Sequence, residues 1–189
     1  MINVIGGKFK RINLDVPNLD VRPTSSRIRE AIFSILESYA LQNSINLYQN
    51  KCCIDLFAGS GALGLEAISR GISFSYFFEN NNETFNTLLN NCNKICKNKE
   101  FIIYNEDNNL LNKEKIKFPT SIIFIDPPYE LNLIDSILKK ILDNDILNDS
   151  SLIVIESDKN TFINYSKYFK LIKEKTYGKT KIIFLKKLI

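Results

Sequence analysis

The chain has 189 residues, 44% of them hydrophobic, with 25 Lys/Arg against 21 Asp/Glu for a net charge of +4, and no histidine. This is the size and composition of one domain with a sizeable core, and no stretch approaches the roughly 18 apolar residues needed to span a bilayer. The absence of histidine excludes Ser-His-Asp and Cys-His catalysis, and Cys52, Cys53, Cys92 and Cys96 include no C-x-x-C pair, so reduced, buried thiols and no metal site are expected.

The chain opens on "MINVIGGKFKR". It lacks the charged-then-apolar pattern of a signal peptide, so these residues are expected to belong to the fold of a cytoplasmic protein. "MINVI-GGK-FKRINL" reads as a β-hairpin turning at Gly6-Gly7. After Pro17 and Pro23 a helix is expected from about Ser25, with Ile28, Ala31, Ile32 and Ile35 as its apolar stripe. Arg22, Arg27 and Arg29 crowd its start, the end where positive charge opposes the helix dipole, and a nearby anion would offset that cost.

From Lys51 strands and helices alternate. Strands are expected at 52–57, 73–79, 101–104, 121–126 and 151–156. Helices are expected at 62–70, 82–96 and 131–142, with short segments near 108–112 and 161–166. Residues 169–176 and 180–187 read as a closing hairpin joined at "YGKT". The alternation predicts an α/β fold, a mostly parallel sheet with helices on both faces. Charge follows the same divisions. Residues 1–36 have six basic and three acidic residues, a net +3; residues 158–189 have nine and two, a net +7; residues 37–157 have ten and sixteen, a net −6. Basic ends around an acidic centre suit a polyanion held outside a site that prefers a cation.

"CCIDLFAGSGALGLEA" places Gly59, Gly61 and Gly64 in G-x-G-x-x-G spacing between a strand and a helix, the context of a nucleotide-binding turn. Gly59 would permit the turn, Gly61 a close ligand approach and Gly64 tight helix–strand packing. Glu79 ends the second strand, where a carboxylate can accept from both hydroxyls of a ribose. Asp55, just before the loop, would repel a pyrophosphate and attract an ammonium. Asp107 follows the third strand, where an acceptor can hold an adenine amino group. Asn105 and Glu106 are placed for the same role. The set favours S-adenosylmethionine over a nicotinamide dinucleotide, with Asp55, Phe57, Gly59, Gly61, Glu79 and Asp107 as candidate contacts.

The fourth strand, "SIIFIDPPYE", ends on Asp126 followed by two prolines. Prolines fix φ and remove N–H donors, leaving two acceptors, the Asp126 carboxylate and the Pro127 carbonyl. Two acceptors can hold both hydrogens of an exocyclic amine and aim its nitrogen lone pair at a methyl donor. Tyr129 offers a ring on which the base can stack.

These residues resemble a known family. "DPPY" matches the [DNS]-P-P-[YFW] motif of amino-group methyltransferases. "IGGKFKR", "RPTSSRIREAIFSIL", "DLFAGSGALGLEA", "VIES" and "YGKTKIIFL" look like the bacterial RsmD-type 16S ribosomal RNA guanine-N2 methyltransferases across almost the whole chain. The resemblance implies a Rossmann-like class I methyltransferase fold with a seven-stranded sheet of order 3-2-1-4-5-7-6. It implies S-adenosylmethionine as donor and a guanine of 16S ribosomal RNA, free or in a small-subunit assembly particle, as acceptor. Asp126, Pro127 and Tyr129 would form the amine clamp, and Arg22, Arg27 and Arg29 would contact the RNA backbone. A monomeric single domain over 1–189 is expected, with residues 1–40 as a hairpin and basic-helix extension and 51–189 as the catalytic core. Two alternatives stay open: methylation of adenine N6 in DNA or of a different RNA, which shares the clamp, and a dinucleotide-dependent oxidoreductase.

Overall fold

The computed structural model describes residues 2–17, 24–96, 100–105, 111–127, 133–165 and 167–188. Two short strands, β1 (Ile2–Asn3) and β2 (Asn13–Leu14), precede helix α1 (Ser26–Gln42). Then follow β3 (Cys52–Asp55), α2 (Ala62–Ser69), β4 (Phe74–Phe78), α3 (Asn82–Ile95), β5 (Phe101–Tyr104), a 3-10 turn at Lys113–Lys115, β6 (Thr120–Ile125), α4 (Leu133–Asp143), β7 (Leu152–Asp158), β8 (Phe169–Tyr177) and β9 (Thr180–Lys187). The large sheet runs β5-β4-β3-β6-β7-β9-β8. Counted from β3, this is the expected order 3-2-1-4-5-7-6. Strands β5, β4, β3, β6 and β7 are parallel, and β9 joins antiparallel to β7 and β8.

The strands at the centre are buried on both faces, so β3, β4 and β6 are buried at every residue. Their side chains divide by alternation between two cores. One lies under α1, α2 and α3 and contains Phe33, Leu65, Leu88, Phe124 and Val154. The other lies under α4 and contains Ile54, Tyr76, Ile123, Ile137 and Ile141. All four cysteines are buried free thiols in these cores. No helix among the described residues is long and apolar enough to cross a membrane.

Three expectations need correction. The N-terminal hairpin does not turn tightly at Gly6-Gly7. Ile2 pairs with Leu14 and Asn3 with Asn13, and Val4 and Arg11–Ile12 exchange further backbone bonds, leaving Gly6-Gly7 in a wide loop. That loop is tied to α2 instead. Glu66 accepts from the Ile5 and Gly6 amides at 2.7 and 2.8 Å, and Lys8 N–H donates to the Ser69 carbonyl at 2.7 Å. The second correction concerns 161–166, where residues 161–165 form no helix. The Asp158 carboxylate accepts from the Asn160 amide, the Asp158 carbonyl accepts from the Thr161 amide, and Asp135 on α4 accepts from the Asn164 amide. Burial alternates there, with Thr161 and Ile163 inside and Phe162 85% exposed. The segment near 108–112 lies mostly outside the described residues.

The third correction concerns α1. Ser25 caps it, its hydroxyl accepting from the Ile28 amide. Its buried stripe, however, is Ile28, Arg29, Ile32, Phe33, Leu36 and Ala40. Arg29 is fully buried, donating from Nη2 to the Asn3 carbonyl at 2.9 Å. Its pKa is lowered by burial and held up by the charge of buried Glu66. Arg29 therefore cannot lie against an RNA backbone; it holds the hairpin to α1. Arg70 completes this junction, pairing with Glu37 at 2.8 Å and Glu66 at 2.9 Å while its guanidinium covers the Phe33 ring.

Candidate active site

The carboxyl ends of β3, β4, β6 and β7 lie together because those strands are parallel and adjacent, and in open α/β sheets this edge receives ligands. Asp55 ends β3. It is 2% exposed, and its Oδ2 accepts from the Gly64 amide at 3.1 Å, which ties the strand to the first turn of α2. Burial, with the charges of Asp126 and Glu79 nearby, pushes the Asp55 carboxyl up to about 7. Gly59 and Gly61 both sit in the left-handed region, at φ 54° and 80°.

The three glycines divide the work differently from the sequence reading. A Cβ on Gly59 would touch only the Phe57 carbonyl oxygen, at 4.0 Å, so this is where a ligand can approach the backbone. A Cβ on Gly61 would come within 2.5 Å of Leu88, and one on Gly64 within 2.3 Å of the Phe77 ring. Gly61 therefore serves the turn and helix packing, and Gly64 packs on β4 as expected. Glu79 follows β4 and stiffens the loop, accepting from the Gly59 amide at 3.0 Å and the Asn81 amide at 2.9 Å. Phe57 packs partly buried against the α4-side core. Asn105 donates to Asn82 at 3.1 Å.

Asp126 and Pro127 follow β6 and are partly buried. Asp126 Oδ2 accepts from the Thr24 hydroxyl at 2.9 Å, so the segment leading into α1 orients this carboxylate. Burial raises its pKa, and the Thr24 bond opposes the rise. Glu156 belongs to the same group. β6 and β7 run in parallel register with Ile125 opposite Ile155, so Asp126 and Glu156 follow side by side. Burial first, then the Asp126 charge, raises the Glu156 pKa, while the Thr24 hydroxyl lowers it. Its Oε2 is buried without a hydrogen-bond partner among the described residues.

Thus Asp55, Gly59, Glu79, Asp126 and Pro127 share one edge, and Arg27 is exposed in the first turn of α1. Asp107, Tyr129 and Arg22 lie outside the described residues. Thr24 and Glu156 were not singled out from sequence. The signal for Glu156 was its place one residue past a buried run, matching that of Asp126; Thr24 carried none beyond lying in "RPT".

A parallel sheet of this order, with a glycine turn after its first strand and Asp-Pro after its fourth, defines a Rossmann-like methyltransferase. The family model described as Conserved hypothetical protein 95 matches residues 2–186, and the chain belongs to that family. This bears out the RsmD-type resemblance. The ribosomal RNA small subunit methyltransferase D of Buchnera aphidicola (subsp. Acyrthosiphon pisum) is 35% identical over 175 residues, covering 92% of this chain and 87% of the relative. Its namesake in Escherichia coli K12 is 31% identical, over 83% of this chain and 75% of the relative. Among solved structures, the yhhF methyltransferase of Escherichia coli superposes with a TM-score of 0.82 at 30% identity, covering 98% and 97% of the two chains. The N-terminal domain of human METTL16, solved with SAH, shares the fold alone, with a TM-score of 0.71 at 13% identity over 93% of this chain and 75% of that one.

Proposed function

We propose that this chain transfers a methyl group from S-adenosylmethionine to the exocyclic N2 amine of a guanine in 16S ribosomal RNA, free or in a small-subunit assembly particle. One observation carries the reading: an acceptor pair, Asp126 and the Pro127 carbonyl, beside a buried acid, Asp55, and an open glycine backbone, Gly59, at one sheet edge. The names of the relatives supply the ribosomal RNA substrate.

The residues fit a cationic donor. Asp55, buried and repelled by Asp126 and Glu79, is stabilised by an ammonium. Glu79 has one amide on each oxygen and retains acceptor capacity for ribose hydroxyls. S-adenosylmethionine brings an activated methyl group, so the protein's task is positioning. Asp126 and the Pro127 carbonyl accept the two amine hydrogens, orient the nitrogen lone pair, and Asp126 takes up the surplus proton. Tyr129 stacks on a base turned out of its loop, and Arg22 and Arg27 meet the phosphates. The enzyme works as a cytoplasmic monomer, one domain over 1–189.

The test is labelled methyl transfer to small-subunit rRNA and 30S particles from cells lacking the enzyme, followed by mass mapping. The expected product is N2-methylguanosine. Asp126→Ala should bind donor yet react roughly 10²–10³-fold more slowly, the usual loss for one preorganised hydrogen-bonding group. N6-methyladenosine as product, or thermal stabilisation by NAD but not by S-adenosylmethionine, would overturn the reading.

A further inference from the structure

Glu156 stands where no sequence motif for amine methylation requires an acid. It lies between Asp126, its neighbour across β6 and β7, and Ile182 of β9, which is buried and apolar. Nothing described on β9 compensates it. Its Oε2 is buried without a partner among the described residues, although the Thr24 hydroxyl lies close enough to act on both Glu156 and Asp126. A buried carboxyl oxygen without a partner is costly, and here it sits beside the proposed amine clamp.

The bases that carry an exocyclic amine differ in what lies next to it. Adenine and cytosine place an acceptor beside the amine. Guanine places a second donor, N1–H, and then an acceptor, O6. Asp126 beside a protonated Glu156 offers acceptor, acceptor and donor in turn, the complement of the guanine edge. We propose that Glu156 is a specificity-determining residue that reads guanine, its carbonyl oxygen accepting N1–H and its hydroxyl donating to O6, while Asp126 holds the N2 amine. This rests on the guanine-N2 reading above. The proton on Glu156 is favoured by burial and by the Asp126 charge, and it also removes the repulsion between the two acids. The Thr24 hydroxyl is the opposing group.

The probe is 2-aminopurine, which keeps the N2 amine but lacks both N1–H and O6. The mapped nucleotide of unmethylated small-subunit rRNA is replaced by guanine or 2-aminopurine through ligation, and the RNA is reconstituted into particles. Single-turnover methylation is then measured with wild type, Glu156→Ala and Glu156→Gln at saturating donor, alongside donor affinity and Tm. Wild type should prefer guanine by about 10- to 100-fold, the worth of one or two hydrogen bonds in a site that has excluded water. Glu156→Ala should lose most of its guanine rate, bringing the ratio to within about threefold. Glu156→Gln, with the same acceptor–donor pattern as the protonated acid, should keep most of the preference and serves as the second variant if Glu156→Ala folds poorly. Equal slowing of both substrates, or an unchanged ratio in Glu156→Ala, would overturn the assignment. If the wild-type product were not N2-methylguanosine, the proposed function itself would fail; an N2-methylguanosine product with unmoved ratios removes only the role of Glu156.

Discussion

Replacing Asp55 with Asn tests whether the site stores electrostatic strain. The Asp55 carboxyl is raised from an ordinary 3.8 to about 7 by burial and by the charges of Asp126 and Glu79. The folded state thus keeps this proton up to about pH 7, whereas the unfolded chain releases it near pH 4. The stability associated with the proton is complete below pH 4 and is lost as pH rises to 7. One pKa unit is worth about 1.36 kcal/mol, so the loss by pH 8.5 is on the order of 2–4 kcal/mol. Asparagine is neutral throughout and retains an oxygen for the Gly64 amide. For a domain of this size about 1 kcal/mol moves Tm by 2–4 °C. Asp55→Asn should therefore melt about 5–15 °C above wild type at pH 8.5, with the gap closing toward pH 4. It should also bind S-adenosylmethionine at least tenfold more weakly, because the ammonium loses its counter-charge. Differential scanning fluorimetry across pH and calorimetric titration of the donor measure both effects. A gap that does not vary with pH, or a variant less stable than wild type at pH 8.5, would refute the reasoning.

Asp126 must be ionised to take up the surplus proton of the amine, and burial lifts its pKa to about 6. The kcat/KM profile should therefore fall by up to tenfold per pH unit below about pH 6, and the residual activity of Asp126→Ala should lack that limb; a flat wild-type profile from pH 5 to 7 would contradict this. Arg27 and Arg29 should separate cleanly. Arg29→Ala should cost about 3 kcal/mol in chemical denaturation, since it strips a buried guanidinium from beside buried Glu66. Arg27→Ala should leave stability within about 0.5 kcal/mol and flatten the log–log salt dependence of RNA binding by roughly 0.7–0.9 if it meets one phosphate.

The strand order and the positions of Asp55, Glu79 and Asp126 were legible because each follows a buried apolar run, and strand ends in a parallel sheet share an edge. Arg29 was misread because charge was weighed before periodicity. It lies one helical turn before Phe33 and two before Leu36, on the very stripe that α1 buries, and a basic residue there needs a buried counter-charge. That partner, Glu66, is on α2, 37 positions away, and no local pattern joins the two. The wide N-terminal loop was hidden for the same reason, since its amides are satisfied by Glu66 and Ser69 rather than across the hairpin. Glu156 follows a buried apolar run as Asp126 does, but it lies within β7, is followed by no proline and precedes no glycine turn, so only the register of β6 against β7 makes it a neighbour of the clamp.

That register also joins donor binding to the clamp. Asp55, Asp126 and Glu156 lie toward the carboxyl ends of three consecutive strands of the sheet, and the charge of Asp126 raises both of the others. A cation bound against Asp55 would reverse this effect. By linkage, it should lower the pKa of Asp126, whose charge interacts with Asp55. Asp126, lifted by burial to about 6, should then be pushed back toward its ionised, accepting form by a bound donor. The proposed clamp should accordingly be strongest toward an amine when the methyl group is already in place. The same cluster that should destabilise the protein at alkaline pH should thereby favour donor binding before base binding, which an ordered product-inhibition pattern would show and a random one would refute.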